Sequence, residues 1–376
     1  MTVYLDCNAT TPMEPEVLEV VIRYMRDEYG NSGSRTHEFG VRAKRAVERA
    51  RDAVAAVVEA DPQEVIFTSG ATESNNLALL GLAEAGRRAG RMHLISSTIE
   101  HKAVLEPLEY LAGVGFELTL VPSSSSGRVD PGDIAAAMRP DTLLVSVMHV
   151  NNETGVIQPL NEIADALASS EAYFHVDAAQ GFGKELDGLR NRRIDLISVS
   201  GHKIYGPKGI GALIARRRNN SRIPLAPLMF GGGQEHRLRP GTAPVPLIAG
   251  FGEAAHIAVR DNAARQAKCL EHQSKFRHAI TSIEHSVNGD RQWMVPSTVN
   301  ISFSRVNSEA AMVALKDFAA VSNGSACTSA SYKPSHVLKA MGLSESRCSG
   351  ALRFSWCHMT PSPPWDAIVN TLRQLQ

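Results

Sequence analysis

The chain has 376 residues, 43% of them hydrophobic and 21% charged, with Lys plus Arg and Asp plus Glu both at 39. That is the balance of an ordinary soluble globular protein long enough for two domains, and it excludes a global polycation built to hold nucleic acid or an anionic membrane. No apolar run approaches the ~20 residues of a membrane helix, and five irregularly spaced cysteines without a C-x-x-C pair argue against a disulfide framework or a zinc site. The start, Met1 to Asp6, lacks the basic and apolar regions of a signal peptide, so a cytoplasmic protein is expected.

In chain order, Glu14 to Tyr29 reads as an amphipathic helix, and Val41 to Glu59 as a second with Val47, Val54, Val57 and Val58 on its apolar side. Short apolar runs then alternate with helical ones. Strands are predicted at Glu64 to Thr68, His93 to Ser96, Glu117 to Val121, Thr142 to Met148, Ala172 to Val176, Asp195 to Val199 and Ile210 to Ala215. Helices are predicted from Thr72 to Arg88 and from Lys102 to Leu111. This alternation implies an α/β layer with a mostly parallel, doubly covered sheet. Arg216-Arg217-Arg218 reads as a solvated turn after a strand. After Pro246 one long helix, about Leu247 to Ile283, leads to a smaller α+β region with strands at Val299 to Phe303 and Leu352 to Ser355.

The cysteines are Cys7, Cys269, Cys327, Cys348 and Cys357. Cys327 stands apart, because Ser322 to Ser331 surrounds it with Gly324, serines and a threonine, residues that favour irregular backbone. A thiol in such a loop is a candidate nucleophile, whereas Cys348 and Cys357 read as packing residues.

Lys203, in Ser200-Gly201-His202-Lys203-Ile204-Tyr205-Gly206, follows a strand and so sits where open α/β sheets bind ligands. A desolvated lysine there can form a Schiff base with a carbonyl, although an isolated loop lysine also reads as solvated. Asp177 ends the strand-like run Phe174-His175-Val176 and is costly to bury without a cationic partner. A protonated pyridine nitrogen would serve, and pyridoxal phosphate (PLP) enzymes place a lysine at the aldehyde and an acid at that nitrogen. Thr68 to Asn76 runs from a strand end into a helix start, whose N–H groups can cradle a phosphate. Taken alone it is also a good helix N-cap. His101 follows another strand end and can stack on a ring or move protons. Arg353, in an otherwise apolar strand, has two readings: a fork for a substrate carboxylate, or an internal salt bridge.

Taken together, Tyr4-Leu5-Asp6, Gly70-Ala71-Thr72-Glu73-Ser74-Asn75, Glu100-His101-Lys102, Asn151-Asn152-Glu153-Thr154-Gly155, His175-Val176-Asp177-Ala178, Arg239-Pro240-Gly241-Thr242, the Lys203 and Cys327 segments and Arg353-Phe354-Ser355 resemble the cysteine desulfurases among the class V aminotransferases. The resemblance implies a fold type I PLP-dependent transferase: a mostly parallel seven-stranded sheet in a large domain, residues 14–258, and a small α+β domain of residues 1–13 and 259–376. It implies that Lys203 holds the PLP aldehyde, Asp177 the ring nitrogen and Gln180 the ring hydroxyl, with His101 on the ring. Ala71, Thr72, Ser200 and His202 would bind the phosphate, and Thr242 would complete that site in the other subunit of a homodimer. Asn152 and Arg353 would hold the carboxylate of L-cysteine. Cys327, as a thiolate that His101 helps to deprotonate, would take the substrate sulfur, leaving L-alanine and a persulfide for an acceptor protein. Asn31 to His37 and Cys7-Asn8 are most similar to desulfurases that supply DNA phosphorothioation. Supply of iron–sulfur clusters or tRNA thiolation, or a selenocysteine lyase, remain the alternatives. Trp356-Cys357-His358 departs from the family pattern of a leucine, a glycine and a basic residue.

Overall fold

The computed structural model describes residues 2–323 and 334–376. Its strands are β1 (Val3–Tyr4), β2 (Val65–Thr68), β3 (His93–Ser97), β4 (Glu117–Val121), β5 (Thr142–Ser146), β6 (Tyr173–Asp177), β7 (Leu196–Ser200), β8 (Gly211–Ala215), β9 (His285–Val287), β10 (Thr298–Phe303), β11 (Ala319–Ala320) and β12 (Ala351–Ser355). β2 to β8 form a seven-stranded sheet in the order β2-β8-β7-β6-β5-β3-β4. β8 pairs antiparallel with both neighbours and the other pairings are parallel. The carboxyl ends of β2, β3, β5, β6 and β7 therefore open on one edge.

Alternate strand residues enter two separate apolar layers, as a pleat buried on both faces requires. Phe67, Ile95, Val145, Ile197 and Ile214 join one layer, and Ile66, Leu94, Leu144, Leu196 and Leu213 the other. The first is completed by Val17, Val21, Val54 and Phe251 from helices Pro15–Arg26, Glu38–Val57 and Val245–Arg260. The second takes Leu77, Val104 and Leu108 from Ala71–Gly81 and Lys102–Gly113. One polar line crosses this sheet: buried His175 bonds Ser146 Oγ at 2.8 Å and Ser198 Oγ at 3.0 Å. Burial holds its pKa down at about 3, so the ring is a neutral strut.

A third apolar cluster gathers Leu5, Phe276, Ile301, Phe354, Trp356 and Leu372 around the antiparallel sheet β12-β10-β9. The N-terminal segment belongs to it, since β1 pairs with β11 and Asp6 bridges Ser355.

Three expectations need correction. The single helix from 247 to 283 is two, Val245–Arg260 and Asn262–Ala279, broken at Asp261, whose φ of −107° and ψ of 10° leave the helical region. The helix from 72 to 88 likewise divides at Leu82 into Ala71–Gly81 and Ala83–Ala89. Arg216 is not solvated; only 4% exposed, it donates from Nη2 to the Val58 and Leu189 carbonyls at 2.6 and 3.0 Å. A buried guanidinium can persist because its fixed donors meet loop carbonyls that would otherwise go unpaired.

Candidate active site

The carboxyl edge of the large sheet holds a cleft of about 520 Å³. Lining it are Ala71, Thr72, His101, Asn152, Asp177, Gln180, Ser200, His202, Lys203 and Arg353. Residues up to 282 apart in sequence thus meet at one place: the large-sheet strands end together there, and β12 of the small sheet brings Arg353 to the same cleft. Thr242 is exposed and does not line the cleft. Cys327 lies outside the described residues.

Asp177 is the last residue of β6 and 5% exposed. Asn75 Nδ2 donates to one carboxylate oxygen at 2.8 Å and the Ala179 N–H to the other at 2.9 Å. These donors fix the carboxylate in place. Lys203, three residues beyond β7, donates from Nζ to the Asn8 carbonyl and, at 2.9 Å, to that of Ala9. Gln180 Nε2 also donates to the Asn8 carbonyl, at 2.9 Å, while its Oε1 is buried without a partner among the described residues. Such an atom calls for a ligand donor.

The cradle is the start of helix Ala71–Gly81, whose first N–H groups have no intrahelical acceptor. Gly211 makes room for it. That residue is in register with both Thr68 and Ser200, and a Cβ there would lie 2.6 Å from Gly70 Cα. Glu73 braces the turn, accepting from Ser69 N at 2.7 Å and Arg239 Nε at 3.0 Å. His202 bonds Thr10 Oγ1 through Nδ1 at 3.1 Å. Burial lowers its pKa to about 4, with Lys203 and Lys208 adding to the effect, so the ring is neutral at pH 7.

His101 is the N-cap of helix Lys102–Gly113, its Nδ1 accepting from Ala103 N at 3.1 Å. The proton of the neutral ring is therefore on Nε2. Burial holds its pKa below the usual imidazole value, against the pull of Asp177. Arg353, central in β12 and 2% exposed, donates from Nη1 to the Asn152 carbonyl at 3.0 Å and from Nη2 to Asp6 Oδ1 at 2.6 Å. Its Nε is buried and unpartnered among the described residues. The internal salt bridge is thus present, on an arginine that also lines the cleft.

Sequence reasoning missed Asn8, Asn75 and Glu100. Asn75 stands one turn after Thr72 in the same motif, a spacing that places it beside the cradle. Glu100 precedes His101 and is fully buried, its Oε1 accepting from Ser97 Oγ at 2.5 Å and Met148 N at 3.0 Å. Nothing in the linear pattern announces Asn8, whose part is played by its backbone carbonyl. In the departing segment, Trp356 donates from Nε1 to the carbonyls of Cys269 and Pro296, at 3.1 and 3.0 Å, and His358 bonds Glu14 at 3.0 Å.

A lysine, an acid and a helix N-terminus converging at the strand ends define a fold type I transferase site. Residues 3–362 match the family described as aminotransferase class-V, and the chain belongs to that family. It is 45% identical over 377 residues to the cysteine desulfurase IscS of Shewanella sp. strain MR-4, a match covering 100% of this chain and 92% of the relative. Among solved structures, DndA from Streptomyces lividans is 53% identical with a TM-score of 0.83, over 96% of this chain and 100% of that one. A structure described as SspA in complex with cysteine is 37% identical with a TM-score of 0.83, over the same shares. Among the described residues no helix is long and apolar enough to cross a membrane.

Proposed function

We propose that this chain is a PLP-dependent cysteine desulfurase that converts L-cysteine to L-alanine and passes the sulfur, as a persulfide on Cys327, to an acceptor protein. The carrying observation is the convergence of Lys203, Asp177, Gln180, the Ala71–Gly81 N-terminus, Arg353 and Asn152 on one cleft. The residues fit the cofactor. Gln180 Oε1 is a buried acceptor in need of a donor, Asp177 is a braced carboxylate for a pyridinium, and the cradle offers N–H groups beside Ser200 and His202. When bound, PLP supplies the electron sink that makes the substrate Cα–H acidic.

The protein's own residues do the rest. Arg353 and Asn152 orient the substrate through its carboxylate. Lys203 holds the cofactor aldehyde and then moves the Cα proton. His101, kept neutral by burial, serves as a base for the thiols of substrate and Cys327 through Nδ1 once its bond from Ala103 N is released, since Nε2 already carries the ring proton. The protein acts as a homodimer in which Thr242 completes the phosphate site of the partner subunit. Residues 14–258 form the large domain, and 1–13 with 259–376 the small one.

For the acceptor we favour a partner in DNA phosphorothioation. The resemblance at Cys7-Asn8 and Asn31 to His37 supports this, as does an identity to DndA of 53% beside 45% to IscS. Cys327→Ser should abolish alanine and sulfide release while the PLP colour persists; retained activity overturns the assignment. Label from radioactive cysteine should move to the DNA-modification partner, and its transfer to an iron–sulfur scaffold instead overturns the pathway.

A further inference from the structure

A buried sulfur cluster lies directly behind the cleft. Cys7 and Cys357 are 2% and 1% exposed and pack together with Tyr205 and Met359. The backbone holds them side by side: Cys7 N donates to the Ser355 carbonyl at 3.1 Å, and Asp6 bridges Ser355. Cys357 is fixed by Thr360, whose Oγ1 accepts from Cys357 N at 2.9 Å and lies 3.6 Å from its sulfur.

Packed against each other, the two thiols titrate as a pair: the interaction raises the pKa of Cys7 and lowers that of Cys357, so Cys357 is the sulfur favoured as the thiolate. Lys184 is the neighbouring cation; burial lowers its pKa while the charges of Cys7, Cys269 and Cys357 pull it back up. A crevice of about 20 Å³, lined by Lys184, Tyr205, Arg265 and Cys269, adjoins this cluster at Tyr205. That volume admits one molecule of about the size of water, and a hydroperoxide group is little larger.

We propose that Cys7 and Cys357 are a modification site, a dithiol that hydrogen peroxide oxidises to a reversible intramolecular disulfide. The Cys357 thiolate attacks one peroxide oxygen, the O–O bond breaks, and hydroxide leaves with a sulfenic acid formed on Cys357. Cys7 then attacks that sulfur; its proton and the departing hydroxide make water, and the S–S bond closes. Two electrons pass from the sulfurs to the peroxide. Two cysteines packed in one cluster and held on adjoining backbone need little movement to reach bonding distance. The bond would act on the residue next to Cys7, for Asn8 carries the carbonyl that receives Lys203 and Gln180. This last consequence rests on the desulfurase reading; the bond itself does not.

Peptide mapping of the PLP-loaded protein after graded peroxide tests the proposal without any activity measurement. Trypsin releases Cys7 in the peptide from Met1 to Arg23 and Cys357 in the peptide from Phe354 to Arg373. The expected product is the two peptides joined, lighter than their sum by two hydrogens, and separated again by dithiothreitol. Cys348, whose sulfur contacts the Leu343 carbonyl at 3.7 Å, should remain a thiol and serves as the internal control. In Cys7→Ser protein, Cys357 should instead appear as a sulfinic acid at the same dose. Recovery of Cys7 and Cys357 as free thiols at a dose that has oxidised Cys327 overturns the proposal, as does a Cys357–Cys269 link in place of the expected one. The unaltered protein decides the matter even where the variant fails to fold.

Discussion

Glu100 offers a test of how the buried floor of the cleft is balanced. The carboxyl is fully buried; its Oε1 accepts from Ser97 and Met148, and its Oε2 has no partner among the described residues. Burial raises its pKa from 4.5 to about 8, Asp177 adding to the rise and the two hydrogen bonds opposing it. At neutral pH the proton is therefore on the group, most simply on Oε2. The sign follows from the direction of the shift. A folded-state pKa above the unfolded value means that the stabilising contribution is complete below about pH 4.5 and is lost as pH rises through about 8. At about 1.4 kcal/mol per pH unit, the interval corresponds to roughly 5 kcal/mol as an upper bound. Glu100→Gln keeps the neutral shape and the acceptor for Ser97 and Met148 but cannot ionise. The melting temperature of the variant minus that of the unaltered holoenzyme should therefore widen steadily between pH 5 and 8, by several degrees in all, while other titrating groups cancel in the difference. A constant offset across that range would falsify the account of Glu100 as a buried neutral acid.

Two further substitutions probe the walls. Arg353→Lys removes a planar fork that now serves Asn152 and Asp6; the loss of a charged hydrogen bond, about 1.5–3 kcal/mol, should raise KM for cysteine roughly 10–100-fold with kcat much less affected. Steady-state alanine production measures this, and an unchanged KM means that Arg353 is structural only. Gly211→Ala places a Cβ 2.6 Å from Gly70 Cα, where only backbone could yield. It should cost about 1–3 kcal/mol in stability and weaken PLP retention; a variant with unaltered melting and cofactor titration removes the close approach from the account of the cradle.

The large sheet was legible because its signals are local. Apolar runs of five residues separated by helices mark β3 to β7, and Asp177 and Ser200 stand at the ends of their strands as read. Breaks inside helical stretches were not, since Asp261 and Leu82 are both compatible with helix and neither is the glycine or proline that marks a break. Arg216 was misread for a related reason. Charge patterning predicts solvent, and only the assembled fold shows four carbonyls from distant loops turned toward one guanidinium. Among site residues, those acting through distinctive side chains could be found by type and position. Asn8 acts through its carbonyl, which every residue possesses, so no residue pattern could single it out.

That carbonyl explains how two separately packed bodies register their reacting parts. Asp6 and Asn8 belong to a segment held by the small sheet, through the pairing of β1 with β11 and the bridge from Asp6 to Ser355. Asp6 nevertheless grips Arg353, while Asn8 receives Lys203 and Gln180 from the edge of the large sheet. Two residues of extended chain span at most ~7 Å. The N-terminal segment is thus a short ruler between Arg353, proposed to orient the substrate carboxylate, and Lys203, proposed to hold the cofactor. Catalysis by positioning is sensitive to errors of about 1 Å, so a change at the middle of the ruler is felt at both ends. Its middle residue is Cys7. A bond from Cys7 to Cys357 would pull on this segment, which makes the dithiol a point from which oxidation can reach the reacting groups without touching them.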